Sequence, residues 1–197
     1  MNNQMKNAIK TLSEMMYDRH FVDFAQELRK EDILSEIKDA CINNGITFIN
    51  GWTQDQKRIR IVFILQNKWK STDLKKYLDE DIYLVLLVCR EKPTVNNVKM
   101  LKESFVNLDF QIFTFKELQI NVTKHELVPK HELLGFEQED EIQRILQGYN
   151  IKSRNFLPLI LRNDPVARYF NAKPGNLMRI TRPSPTSGTY IFYRCCI

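Results

Sequence analysis

The sequence has few of the residues that build the commonest nucleotide and catalytic sites. Among its 197 residues, six are glycine, four are cysteine and three are histidine. The glycines form neither a Gly-x-Gly-x-x-Gly pattern nor a phosphate-binding loop, and no Gly-x-Ser-x-Gly elbow is present. We therefore expect no nucleotide cofactor and no serine nucleophile of that type.

The cysteines and histidines are poorly spaced for metal binding. No two cysteines follow the Cys-x-x-Cys spacing of a structural zinc site, and Cys195 and Cys196 are adjacent. His125 and His131 flank a proline and have no thiolate near them in sequence. We expect reduced thiols, no bound metal and no other cofactor.

Long apolar runs are also missing. The longest continuous apolar segment is Ile82–Cys89, well short of the roughly 18 residues that a membrane span needs. The first residues mix polar and apolar side chains, unlike a secretory signal. We expect a protein that stays inside the cell and has no membrane association.

Positive charge is concentrated near the C-terminus. The formal net charge is +5, yet from Lys152 onward the chain carries eight Lys or Arg residues and one acid, Asp164. Such asymmetry indicates an acidic partner, either nucleic acid or an acidic protein surface. A solvated basic face without a partner is the alternative.

The first half of the chain is predicted to form an α/β layer. Apolar residues from Ile9 to Met16 recur at helical spacing, and a second helix is predicted from Asp23, with Gln26 completing a capping box, to Gly45. Strands are predicted at residues 46–49 and 58–65, followed by a helix that carries Leu74, Tyr77 and Leu78.

The segment Ile82–Cys89 has no polar alternation, so it is predicted to be a strand buried on both faces, with helices on each side of its sheet. A helix at residues 96–107 and a strand at residues 110–115 complete this layer.

The second half of the chain is predicted to contain two helix starts, a tight turn and a pair of strands. An acidic helix start is predicted at residues 137–141, and Asp164-Pro165 has the N-cap and first-turn chemistry of a short helix. Residues 173–176 have the sequence of a type II turn. Strands at 177–182 and 189–196 are predicted to pair through a broad loop, with one apolar and one basic face.

Three sequence segments resemble one known family. They are residues 119–131, residues 163–170 and the group Arg182-Pro183-Ser184, Gly188, Tyr190 and Tyr193-Arg194. In order and spacing they resemble the C-terminal module of the small RNA polymerase subunit shared by eukaryotic polymerases I, II and III, a module that has a counterpart in archaeal polymerases. The N-terminal part resembles the eukaryotic version more loosely.

The resemblance implies a two-domain, non-catalytic polymerase subunit. Residues 1–118 would form a jaw-like α/β domain with a nuclease-like layer and no catalytic site, and residues 119–197 a small α+β assembly domain. The assembly domain would anchor the chain to the largest polymerase subunit, beside neighbouring subunits, while the jaw would grip downstream double-stranded DNA. No homo-oligomer is expected. The location would be the nucleus for a cellular protein, or a cytoplasmic factory or virion for one encoded by a large DNA virus.

The resemblance also assigns residues to these contacts. The expected subunit-interface residues are His125, Pro129, His131, Asp164, Pro165, Arg168, Tyr169, Arg182, Tyr190 and Arg194. The expected DNA-contact residues are Arg90, Lys92, Pro93 and Thr94.

Two other functions are possible alternatives. A free-standing nucleic-acid-binding transcription regulator could have acquired the assembly module. A divergent nuclease would need clustered carboxylates and a lysine, usually as an acid-x-Lys pair on a strand. The pairs Glu36-x-Lys38 and Asp73-x-Lys75 lie in segments with helical periodicity, and so we expect no active site.

Overall fold

The computed structural model divides into two units. It describes residues 2–53, 55–66, 69–74, 76–79, 81–106, 108–186 and 188–197. Contacts between residues separate a first unit, residues 1–120, from a second, residues 121–197. Within the described part of the chain, no helix has the length and apolar character needed to span a bilayer.

The first unit contains five α-helices, one short 3-10 helix at Glu117–Gln119 and four strands among its described residues. In chain order they are α1 Asn2–Asp18, α2 Val22–Glu27, α3 Ile33–Asn44, β1 Ile46–Trp52, β2 Arg58–Ile64, α4 Ser71–Leu74, β3 Ile82–Cys89, α5 Val95–Ser104 and β4 Asp109–Thr114. The sheet order is β1-β2-β3-β4. Strand β1 is antiparallel to β2, whereas β2, β3 and β4 are parallel. The fold is therefore mixed α/β.

Strand β3 lies at the centre of this unit, as the apolar run predicted. Every residue from Leu84 to Cys89 is buried. On one face of the sheet, Val85 and Leu87 pack in a cluster with Leu101 of α5. On the other, α2 approaches so closely that a Cβ at Gly51 would lie 2.1 Å from the Phe24 ring. Helices thus cover both faces, which explains why the strand needs no polar residues.

The predicted single helix from Asp23 to Gly45 is wrong, because the structure contains two. Helix α2 ends at Glu27, and the Lys30 N–H donates to the Glu27 carbonyl in a tight i to i+3 turn. The predicted capping box is also wrong: the N-cap is Phe21, without a side-chain bond. Phe24 and Ile33 are nevertheless buried as expected, since the apolar spacing is correct on both sides of the break.

The helix predicted to include Tyr77 and Leu78 stops at Leu74. The Tyr77 N–H donates to the Leu74 carbonyl, three residues back, at 2.9 Å, so a tight turn follows α4. A buried arginine binds the residues after this turn. Arg60, only 2% exposed, donates to the Tyr77 carbonyl, to Asn50 Oδ1 at 2.7 Å and to Asp79 Oδ2 at 3.0 Å. The guanidinium thus holds this segment in place through the Tyr77 carbonyl and the Asp79 carboxylate. Burial lowers the pKa of Arg60, so these acceptors are needed to keep its charge in the interior.

Replacing Arg60 is predicted to destabilise the first unit strongly. Arg60→Met keeps the apolar stem but leaves the oxygens of the half-buried Asn50 and Tyr77 without this donor, and we expect a loss of about 3 kcal/mol in the free energy of unfolding. Urea denaturation of the full chain measures this loss. Asp79→Asn is the matched control and should cost about 0–1 kcal/mol, because Asp79 is 51% exposed. Equal losses for both variants would contradict this account of Arg60.

The second unit contains two α-helices, three short 3-10 helices and four strands among its described residues. In chain order they are β5 Lys130–Leu134, α6 Glu139–Gly148, β6 Leu159–Ile160, α7 Pro165–Tyr169, β7 Leu177–Ser184 and β8 Gly188–Cys196. The sheet order is β5-β7-β8-β6. Strand β7 is antiparallel to both β5 and β8, and β6 is parallel to β8.

The second sheet buries part of each face against a different helix. On the α7 face, Met178 and Ile180 pack with Val166 and Ala167. On the opposite, α6 face, Leu177 and Cys195 pack with Ile142 and Leu146. The adjacent residues Leu177 and Met178 thus enter separate cores, as alternation along a strand requires.

The broad loop predicted between the last two strands is also wrong. Strands β7 and β8 pair as far as Ser184 opposite Gly188, so the connection is residues 185–187. The strands extend through Pro183 and Ser184, which sequence rules assign to a loop because proline cannot donate to a ladder. The type II turn prediction is confirmed: Asn176 N–H donates to the Lys173 carbonyl at 2.9 Å, and Gly175 adopts φ +88°.

Candidate partner interface

A row of arginine and aromatic side chains occupies the exposed part of the α7 face. Arg182 lies opposite Tyr190, Ile180 opposite Phe192, and Met178 opposite Arg194. Because paired residues in a sheet point to the same side, all these side chains share a face. We call Arg182, Tyr190, Phe192 and Arg194 the Arg-aromatic row.

Cations and rings alternate closely along this row. The Arg182 guanidinium lies 5.7 Å from the Tyr190 ring centroid and 5.2 Å from that of Phe192, and Arg194 lies 6.0 Å from Phe192. The Tyr190 and Phe192 rings stack at 5.7 Å. A guanidinium beside a ring face gains cation–π energy and can still present its N–H donors to a partner.

The two arginines of the row have no acid to neutralise them in the part of the chain that the structure describes. Among those residues, Arg182 and Arg194 make no ion pair and donate no hydrogen bond, and both are exposed. A guanidinium can bind a carboxylate through two parallel hydrogen bonds. This part of the α7 face is therefore suited to an acidic partner.

The α6 face differs, although its sequence predicts a basic surface. Arg179 projects on this face, where it forms ion pairs with Glu141 and, at 3.4 Å, with Glu132. A side-chain hydrogen bond with Tyr193, followed by the one with Glu141, raises the pKa of Arg179. The charge of Arg179 is thus satisfied within the unit, and the two arginines of the row lie on the face predicted to be apolar.

Three expected interface residues, His125, Pro129 and His131, lie on β5 or in the segment before it. His131 is opposite Ile180, so it shares the α7 face with the row, and its Nδ1 lies 2.7 Å from the Pro129 carbonyl oxygen. His125 is exposed, and its Nδ1 accepts from the Leu127 N–H at 3.2 Å. The register therefore brings His131 beside the row, while the described bond of His125 is local.

The expected interface residues of α7 form mainly internal contacts. Asp164 Oδ1 accepts from the Val166 N–H at 2.8 Å, and Pro165 occupies the first turn. Tyr169 is buried, and its hydroxyl accepts from Asn121 Nδ2 at 3.1 Å. Arg168 is half-buried on the same short helix. These contacts stabilise α7 and join it to Asn121, while its Val166 and Ala167 pack on the sheet that bears the row.

Phe192 is a residue that sequence reasoning missed. It lies between Arg182 and Arg194 and is half-buried against the α7-face core. Its period-2 relation to Tyr190 and Arg194 was visible in the sequence. Its contact with Arg182 depends on the strand register, which the sequence did not provide.

The expected DNA-contact loop lies in the first unit, after β3. Arg90 and Lys92 are exposed, and Pro93 is half-buried. Thr94 Oγ1 accepts from the Asn97 N–H at 3.4 Å and so caps α5. The loop thus presents two cations, while Thr94 has a structural contact of its own.

The acid-x-Lys pairs do not form a metal site in the described part of the chain. Glu36 and Lys38 lie on α3, Asp73 lies on α4, and Lys75 falls outside the described residues. No group of three His, Cys, Asp or Glu side chains that the structure describes could hold a metal ion. This geometry offers no support for the nuclease alternative.

The described cysteines are buried free thiols. Cys89, Cys195 and Cys196 form no disulfide. Burial raises the pKa of all three thiols, that of Cys89 to about 12. A thiol that stays protonated is a poor nucleophile and a poor metal ligand. The side chain of Cys41 lies outside the described part.

Comparison with known proteins identifies the family. Residues 120–196 match the family described as RNA polymerase Rpb5, C-terminal domain. A relative from Dictyostelium discoideum, named DNA-directed RNA polymerases I, II, and III subunit rpabc1, is 31% identical over 203 residues, covering 99% of this chain and 98% of the relative. This chain belongs to the family of that shared polymerase subunit. The predicted resemblance is confirmed.

Other members of the family match different extents of the chain. The RPABC1 subunit of Caenorhabditis elegans is 28% identical over 202 residues, covering 95% of this chain and 93% of its own. The polymerase subunit Rpo5 of the archaeon Methanocaldococcus jannaschii is 45% identical over 78 residues, covering 40% of this chain and 95% of its own. Because these relatives are named as polymerase subunits, the comparison does not favour the alternative function, a free-standing transcription regulator.

Two substitutions of Asp164 test whether its side chain stabilises the chain as a helix cap or through its charge. Asp164→Ala removes the acceptor of the first-turn N–H groups and should lower the free energy of unfolding by about 1 kcal/mol. Asp164→Asn keeps an equally good cap and should leave stability almost unchanged. Chemical denaturation of the full chain measures both. If Asn is as destabilising as Ala, the carboxylate acts through its charge and the capping account is wrong.

Proposed function

We propose that this chain is a non-catalytic subunit of a DNA-directed RNA polymerase, anchored to the largest subunit through its second unit. The observation that carries the proposal is the Arg-aromatic row, with two exposed arginines that lack acidic partners in the described chain. A polymerase subunit with complementary carboxylates would satisfy them.

The extent of the archaeal match supports the docking role of the second unit. The relative from Methanocaldococcus jannaschii is named a polymerase subunit and is about as long as the second unit alone. The α7 face and its row belong to that unit. We infer that the second unit suffices for anchoring, and that His125, Pro129, His131 and Arg168 contribute to the interface or its support.

The first unit would form the jaw-like part, with a nuclease-like layer but without chemistry of its own. Its layer of helices around a mixed sheet places the loop of Arg90, Lys92 and Pro93 at the carboxyl end of β3. Exposed cations on a loop suit the phosphates of downstream DNA, a contact that binds without reading sequence. The chain would act as one copy per polymerase, in the nucleus or, for a viral protein, in a factory or virion.

Charge removal on the row should weaken incorporation into the polymerase. We expect the double variant Arg182→Gln, Arg194→Gln to reduce the amount of tagged chain that co-purifies with the two largest polymerase subunits by at least tenfold. The reason is that each arginine would lose charge-assisted hydrogen bonds worth about 1.5–3 kcal/mol. Quantitative mass spectrometry of the purified complex measures the ratio of subunits.

A matched control comes from the other side of the same unit. Arg144 is exposed on α6, and Arg144→Gln removes one charge without touching the row. It should leave the subunit ratio unchanged. The proposal fails if the row variant is incorporated as well as the Arg144 variant, or if the unaltered chain is recovered alone after gentle lysis.

The loop after β3 should contribute a salt-dependent DNA contact. With Arg90→Glu and Lys92→Glu together, we expect polymerase–DNA affinity to fall more at low salt than at high salt. The slope of log affinity against log salt should become shallower by about 1.8, because each lost phosphate contact removes about 0.9. Titration of polymerase with fluorescent duplex DNA gives the slopes.

The exposed Lys99 on α5 provides the control for this titration. Lys99→Glu reverses a nearby charge outside the loop, and it should leave the slope within about 0.5 of the unaltered value. An unchanged slope for the loop variant would remove Arg90 and Lys92 from the DNA contact while leaving the anchoring proposal intact.

A further inference from the structure

Strand β6 is an end strand of the second sheet, and its described pairing lies on its inner side. The Cys195 N–H donates to the Pro158 carbonyl at 2.8 Å, and the Ile197 N–H donates to the Ile160 carbonyl at 3.0 Å. The Arg162 N–H continues the ladder with a bond to the Ile197 carbonyl at 2.8 Å. These bonds all face β8.

The outer side of β6 presents backbone groups that are open to a further strand. Since backbone groups alternate in direction along a strand, those of Leu159 and Leu161 point away from β8. The Leu161 carbonyl accepts from the Asp164 N–H at 2.9 Å. The N–H and carbonyl of Leu159 and the N–H of Leu161 make no hydrogen bond with any described residue. A strand added at this edge could form hydrogen bonds with all three groups, which are a donor, an acceptor and a donor.

The side chains around this edge are apolar and exposed. Leu159 is 46% exposed, Leu161 63%, Ile197 48% and Phe156 75%. Leu159 and Leu161 project to the same side, because they are two positions apart. Native proteins usually protect an open sheet edge with charged side chains, proline or a covering element. Pro158 and Arg162 flank the two-residue strand, but the outward N–H groups of Leu159 and Leu161 have no acceptor among the described residues. Four exposed apolar residues around these groups indicate a surface that another chain covers.

The charge of the surrounding sequence specifies the occupant. Residues 142–163, which include β6, contain four basic residues, Arg144, Lys152, Arg154 and Arg162, and no acid. We propose that the outer edge of β6 binds an extended, apolar segment with acidic flanks from another polymerase subunit, added as a strand beside Leu159. This inference rests on the proposed polymerase role. A second copy of the chain is disfavoured, because pairing two β6 edges would bring two basic segments together.

Hydrogen exchange of the backbone amides in residues 158–162 can detect the added strand. In residues 158–162, Pro158 has no amide, and the amides of Ile160 and Arg162 already bond within the sheet. Any gain in protection there reports the amides of Leu159 and Leu161. We expect this segment to exchange at least tenfold more slowly in purified polymerase than in the free full-length chain, and cross-linking from position 161 should identify an acidic segment of another subunit.

A matched pair of variants separates backbone pairing from apolar contact. Leu159→Ala and Leu159→Pro both remove the leucine side chain, but Pro also removes the outward N–H and leaves the bonds to β8 intact. We expect Leu159→Pro to be incorporated into polymerase about fivefold less than Leu159→Ala, the value of one hydrogen bond. Equal unfolding midpoints for the two free chains would show that both variants fold.

The outcomes distinguish this inference from the function on which it rests. An incorporated chain whose residues 158–162 gain no protection overturns strand addition and leaves the polymerase role standing. Protection that appears in the free chain as its concentration rises identifies a second copy and overturns the proposed occupant. A chain that never enters the polymerase overturns both proposals.

Discussion

The pairing register of β7 with β8 is the constraint on which the candidate interface depends. It places Arg182 opposite Tyr190 and Met178 opposite Arg194, so that apolar core residues and exposed cations follow one another on a single face. A slip of one residue would move every side chain of one strand to the opposite face. The buried positions of Leu177 and Met178, each in a different core, make such a slip costly because both cores would lose their apolar contacts.

The same register places the ion-paired Arg179 on one face of the sheet, and Arg182 and Arg194, which have no acidic partner among the described residues, on the other. Arg179 faces Glu132 and Glu141, and its charge is compensated inside the unit. Arg182 and Arg194 face rings instead. Cation–π contacts hold their guanidinium groups near the sheet without using up their donors, which lowers the entropy cost of binding a carboxylate. A surface of this kind is ordered before its partner arrives.

Sequence reasoning predicted elements whose causes are local. The buried strand Ile82–Cys89, the Asp164 cap and the type II turn at Gly175 depend on neighbouring residues, and all three are confirmed. Family membership was likewise evident from short segments. Errors arose where distant residues take part: the buried Arg60 binds the Tyr77 carbonyl, in a segment that apolar spacing assigned to a helix.

The candidate interface was predictable in part. Arg182, Tyr190 and Arg194 were expected from the family resemblance, and their common face follows from period-2 alternation. The contribution of Phe192 and the neutralisation of Arg179 were not predictable, because each requires knowing which residue lies across the strand or on α6. Long-range pairing therefore determines which of the basic residues remain available to a partner.

Hydroxyl-radical footprinting of two tyrosines tests the central claim most directly. Tyr190 on the α7 face and Tyr149, which packs edge-on against Tyr193 of the α6 face, are 49% and 56% exposed, so they are matched probes of the two sides. In the assembled polymerase, Tyr190 should lose most of its reactivity relative to the free chain, while Tyr149 should keep its own. Retained reactivity at Tyr190, or equal protection of both tyrosines, would contradict docking through the Arg-aromatic row.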